Sequence, residues 1–169
     1  MAPDAMAAPV FRLLGEVARG ALRRPTAEPF STSYRCWPIG MDCFGHKSNV
    51  SYFTIAELAR WQLQTSDGIL KKMHDSGTWF WIAEQTCAYR RPILPFESYD
   101  VRVTAAAEGN VMRYDFVYES AAGEHATVAV RGKFKNGRAT VAPLDFAAGT
   151  TWHAAQLGAA PARPEGLAS

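Results

Sequence analysis

Long apolar runs are missing from this sequence. No stretch approaches the ~20 uninterrupted apolar residues that a membrane-spanning helix needs, which excludes a helical span. Cysteine is scarce. Cys36, Cys43 and Cys87 are odd in number and lack metal-site spacing, which fits a reducing, cytoplasmic compartment better than a disulfide scaffold. The four histidines (His46, His74, His125 and His153) are scattered without ligand spacing, so no metal is expected. Charge excess is also lacking. With 18 Lys and Arg against 16 Asp and Glu, the net charge of +2 is too small to argue for nucleic acid. There is no G-x-S-x-G, so a nucleophile-elbow hydrolase is unsupported. There is no P-loop or dinucleotide fingerprint, and no cofactor is expected.

What is present is an ordinary globular balance. Of 169 residues, 48% are hydrophobic and 20% charged, which suits one domain with a real core. Three parts are expected: a basic amphipathic segment over residues 1–30, a domain over 31–146 and a tail over 147–169. In the first part, Phe11, Leu14, Ala18 and Leu22 share one helical side, with Arg12, Arg19, Arg23 and Arg24 around them, and Pro25 and Pro29 break the pattern. A helix docked on the domain, an organelle-targeting segment and a peripheral membrane contact through residues 10–24 all fit this pattern.

Ser31 to Trp37, rich in Thr, Tyr and Trp, predicts a first strand ended by Pro38 and Gly40. A helix is expected from about Ser51 to Ser66, with Tyr52, Ile55, Ala56, Ala59 and Leu63 on its apolar face and Gly68 as its stop. Ser48, Asn49 or Ser51 could cap it. Ile69 to Met73 adds a short helical piece. From Thr78 the composition becomes strand-like. Strands are predicted over Thr78–Arg90, Tyr99–Val103, Met112–Tyr118 and Ala126–Lys135, and a short one over 137–142. A helical turn is expected over 150–157. One helix followed by antiparallel strands is an α+β pattern.

Chemistry concentrates between Trp37 and Arg60. Asp42, His46 and Asn49 fall within eight residues, just before a helix N-terminus. That end presents unpaired N–H groups and partial positive charge, so a carbonyl bound there is polarised. A carboxylate beside it can attack or deprotonate a water. The bland alternative for Asp42 is a turn or helix cap.

These residues carry a resemblance. Asp42, Gly45, His46, Asn49, Tyr52, Glu57 and Arg60 read onto the pattern D-x-D-x-x-G-H-[VM]-N-N-x-x-Y of the hotdog acyl-CoA thioesterases of the 4-hydroxybenzoyl-CoA type. Tyr89-Arg90-Arg91-Pro92-Ile93 and Glu97 resemble the same family's Y-x-R-P-[LI]-x-x-x-[DE]. Two departures stand out: Gly40 occupies the place of the first Asp, and Lys47-Ser48 that of an apolar residue and the first Asn. The resemblance implies a single hotdog domain, an antiparallel sheet wrapped around one long helix. It implies hydrolysis of an acyl-CoA or acyl-carrier-protein thioester, with Asp42 as general base or nucleophile. His46, Ser48 and Asn49 would position the loop or an oxyanion, Tyr52 and Glu57 would stand behind them, and Arg90 and Arg91 would grip the phosphates of coenzyme A. A homodimer or homotetramer is implied, with the site where subunits meet. A dehydratase or acyl-transfer enzyme using His46, or a non-catalytic acyl-binding or assembly hotdog protein, are the alternatives.

Overall fold

A short apolar-faced helix cannot hide its stripe alone, and a sheet with alternating side chains has one apolar face to match it. In this computed structural model, which describes residues 30–150 together with Gly15, Ala18 and Leu22, the two are joined. β1 (Phe30–Arg35) leads through a 3-10 turn (Pro38–Gly40) to α1 (Asn49–Ser66) and α2 (Ile69–Ser76). Then come β2 (Trp79–Tyr89), β3 (Ser98–Glu108), β4 (Val111–Ser120), β5 (Gly123–Asn136), β6 (Ala139–Val141) and α3 (Pro143–Ala147). The sheet is antiparallel in the order β1-β3-β4-β5-β2, with β6 on β5. It curls around α1, the hotdog arrangement.

Ala56 and Ala59 of α1 are fully covered, and their small size lets the helix approach the sheet closely. Opposite them lie the inward residues of β3 to β5: Val101, Val103, Met112, Tyr114, Phe116, Val128, Val130 and Phe134. Alternation sets this face, because successive strand side chains point to opposite sides. The outward face carries ion pairs instead, among them Arg102–Glu119, Arg113–Asp115 and Arg131–Glu108.

Several element bounds differ from the sequence expectation. α1 begins at Asn49, two residues early, because Ser48 takes the cap: its Oγ accepts from Ser51 N at 3.3 Å. β3 runs on to Glu108 rather than stopping at Val103. Its Thr-Ala-Ala-Ala run has little strand propensity, but pairing with β4 (Ala105 opposite Tyr114, Ala107 opposite Met112) imposes the conformation. α3 had no sequence signal. Phe146 within it stacks on Phe134, ring centres 4.6 Å apart, and closes the core there. Of the N-terminal segment, Gly15, Ala18 and Leu22 are helical, and Leu22 is 87% exposed. The rest of residues 1–29 and the turn expected over 151–157 lie outside the described residues.

Candidate active site

The chain between β1 and α1 must reverse, and Gly45 makes that possible at φ 78°, a left-handed conformation that side chains disfavour. Met41 and Lys47 bridge across the loop, and Asp42 N donates to His46 O at 3.0 Å. The loop is then tied down at its base. Ser48 N and Ser51 Oγ both donate to Gly40 O, at 2.9 and 2.7 Å. A Cβ on Gly40 would come within 3.2 Å of Ser51 Oγ, a tight fit. The Gly40 and Ser48 departures from the family pattern are therefore parts of one hydrogen-bonded base.

This fold of the loop brings Asp42 and His46 together. His46 Nδ1 lies 3.2 Å from Asp42 Oδ2, both side chains being partly exposed. The other carboxylate oxygen accepts from Phe44 N at 2.9 Å, an Asx turn. Phe44 in turn stacks on the His46 ring. Asp42 thus has the capping role of the bland reading and a histidine partner as well.

His46, Asn49, Tyr52, Arg90 and Arg91 line a common cavity of about 350 Å³, with Lys47, Tyr89 and Pro92. Ser48, Glu57 and Asp42 are not in its lining. Asp42 reaches it through His46. Asn49 opens α1, so its N–H and that of Val50 have no intrahelical acceptor. Tyr52 is buried between Tyr89 and Tyr118, and burial pushes its hydroxyl up to about 12, so it stays neutral. Glu57 is held by Arg60 and by Trp61 Nε1 at 2.8 Å. Arg60 is buried, donates to Gln64 at 2.9 Å and lies against Phe80, so this helix carboxylate is engaged in an intrahelical cluster. Arg90 Nε contacts Glu124 Oε1 at 2.5 Å, and Arg91 donates to Ala122 O.

Two site features were invisible as such in the sequence. His125 is buried, with Nδ1 donating to Pro92 O at 3.2 Å and Nε2 lying 2.8 Å from Ser120 Oγ and 3.2 Å from Glu97 Oε1. Its carbonyl accepts from both Arg90 N and Arg91 N. It therefore pins the cavity's arginine segment to β5, and it gave no signal because Pro92 is 33 residues away. Lys47 is the other feature, present in the sequence only as a departure from the pattern. It is buried and donates to Tyr99 Oη at 3.0 Å. Among the described residues, no group of three or more His, Cys, Asp or Glu side chains could hold a metal ion.

A helix-wrapping antiparallel sheet with an Asp–His loop at the helix N-terminus defines a hotdog-type protein. The family model described as the thioesterase-like superfamily matches residues 36–147, and the chain belongs to that superfamily. No curated protein matches. Among solved structures, it is similar to Slr0204, a 1,4-dihydroxy-2-naphthoyl-CoA thioesterase from Synechocystis, with TM-score 0.64, 11% identity, and coverage of 78% of this chain and 97% of the other. BH1999, a gentisyl-coenzyme A thioesterase, gives 0.58 and 15%, covering 66% and 92%. A hypothetical protein from Aquifex aeolicus gives 0.63 and 19%, covering 68% and 93%. At such identities these likenesses establish the fold alone.

Proposed function

We propose that this chain hydrolyses an acyl-CoA or acyl-carrier-protein thioester to free acid and thiol. The observation that carries the reading is the 3.2 Å Asp42–His46 contact beside a cavity lined by the first residue of α1. A thioester carbonyl at that end would be polarised by the N–H groups of Asn49 and Val50. Asp42 would then deprotonate a water, or attack and form a mixed anhydride that water opens. The thiolate is a stable leaving group and departs without a Lewis acid. Arg90 and Arg91 would meet the coenzyme phosphates, Arg90 by exchanging its Glu124 partner for them. Tyr52 and Glu57 act from behind, one as cavity wall and the other by holding Arg60.

The same contact favours a second reading, in which Asp42 orients the imidazole and His46 is the base. That is the arrangement a dehydratase would use. Thiol release from short, aromatic and long acyl-CoAs tests the first reading, and enoyl absorbance from a 3-hydroxyacyl-CoA without thiol release identifies the second. A flat result in both assays with folded protein would leave a non-catalytic acyl-binding protein.

The working unit is a homodimer, or a homotetramer built from it. Among the described strands, β2 is an eleven-residue edge strand paired with β5 alone, and its Trp79 and Trp81 are each 64% exposed. A bare apolar edge of this kind is a template for pairing with a second copy. The cavity lies at the Tyr89 end of that strand, where a partner would complete it. The free thiols Cys36, Cys43 and Cys87 fit a reducing, cytoplasmic setting. Residues 10–24 would supply any contact with a membrane surface.

A further inference from the structure

The connection between β2 and β3, residues 90–97, carries Arg90 and Arg91 and lies outside any strand. A segment without a ladder takes its shape from the partners its backbone groups find elsewhere. Three consecutive residues of it are held at once. Pro92 O accepts from His125 Nδ1 at 3.2 Å. Ile93 O accepts at 2.9 Å from the N–H of Lys47, the residue after His46. Leu94 N donates to Glu97 Oε2 at 2.9 Å. Residues 92–94 therefore tie the Asp42–His46 loop to the arginine segment.

A polar cluster fixes them. His125 is 2% exposed, and its Nε2 lies 3.2 Å from Glu97 Oε1 and 2.8 Å from Ser120 Oγ. Ser120 Oγ donates to Glu97 Oε1 and accepts from Ala122 N, both at 3.1 Å. The cluster reaches the arginine segment by three routes. One is Pro92 O. The second is His125 O, which accepts from Arg90 N at 2.8 Å and from Arg91 N at 3.0 Å. The third is Ala122, whose carbonyl accepts from the Arg91 side chain. Burying such polar groups is costly unless they are partnered, and a partnered network constrains direction as apolar packing does not.

We propose that Glu97, His125 and Ser120 are positioning residues that set the separation between the Asp42–His46 loop and the Arg90–Arg91 pair. The site is thereby matched to a thioester whose leaving group carries phosphates. In a coenzyme A thioester the pantetheine arm separates the carbonyl from the phosphates. Both ends bind together only if the groups that receive them keep their spacing. This role rests on the coenzyme reading of Arg90 and Arg91.

Thiol release from an acyl-CoA and from the matching acyl-pantetheine, which lacks the phosphates, tests it. Glu97→Ala removes a carboxylate from a side chain 24% exposed, so the fold should survive. Its KM for the acyl-CoA should rise at least about fivefold with kcat little changed, while kcat/KM for the acyl-pantetheine stays within about twofold. The loop keeps its own bonds at Gly40 O and His46 O, which is why the short substrate is spared. Calorimetric titration with free coenzyme A gives the comparison without turnover, and Glu97→Ala should bind it at least about fivefold more weakly. His125→Asn keeps a donor near the Nδ1 position and should lose less coenzyme affinity than His125→Gln, which does not. If one set of variants does not fold, the other decides. Weaker coenzyme binding by Glu97→Ala in a chain that releases no thiol would uphold the positioning role while removing the thioesterase reading. Equal losses with both thioesters, coenzyme affinity unchanged in Glu97→Ala, equal affinity of the two His125 variants, or no coenzyme binding by the native chain would each overturn the role.

Discussion

Asp67 caps the C-terminus of α1, and burial raises its carboxyl from 3.8 to about 6. The folded state therefore binds a proton more readily than the unfolded chain, and stability is lost as pH rises from about 4 through 6. Asp67→Asn removes this penalty. Thermal melts should show the variant a few degrees more stable than the native protein at pH 7.5, by about 1 kcal/mol after allowing for solvent screening. The two should coincide at pH 4, and equal midpoints at both pH values would contradict the assignment. Other single residues were legible to different depths. Asp42, His46 and Asn49 could be read together because they are sequence neighbours placed by one turn. Ser48 was one of three cap candidates, and only backbone geometry selects among them. His125, Glu97 and Ser120 could not be grouped from the sequence, since nothing local records contacts made across the sheet.

β2 and β5 show how an element depends on its neighbour. Gly132 lies opposite Ile82 at the β2 bulge, and a Cβ there would sit 2.5 Å from the Phe80 ring and 2.5 Å from Trp81 O. Backbone cannot yield as a side chain tip does. Gly132→Ala should therefore cost about 1–3 kcal/mol in urea unfolding and loosen β2 first, seen as faster amide exchange in that strand. An unchanged midpoint would show that the strand adjusts freely. Element type was readable where periodicity was strong, as in α1 and β4. It failed where the partner strand decides, as in the alanine run of β3, and where a short helix such as α3 exists only because Phe146 packs on Phe134. Among the aromatics of β2, the alternation predicts that Trp79 and Trp81 share a face. The structure adds that Phe80 is the one turned into the core, against Tyr114 and Phe134.

For the molecule as a whole, the wrapping of an antiparallel sheet around α1 was implied by the family resemblance, since strand periodicity alone specifies only an α+β meander, and the strand order is known from the structure alone. Assembly is the first whole-molecule test. Light scattering should give twice or four times the chain mass. Trp81→Glu should shift it toward the monomer with the fold intact by circular dichroism, because a charge on the bare edge opposes pairing. A native monomer that retains activity would contradict a site shared between subunits. The thioesterase reading stands most directly on Asp42. Asp42→Asn keeps the acceptor for Phe44 N–H and removes the charge, so the loop should hold its shape. Thiol release should fall at least ~100-fold with KM and thermal midpoint little changed. A variant that keeps most of its turnover while melting earlier would show that Asp42 only braces its turn.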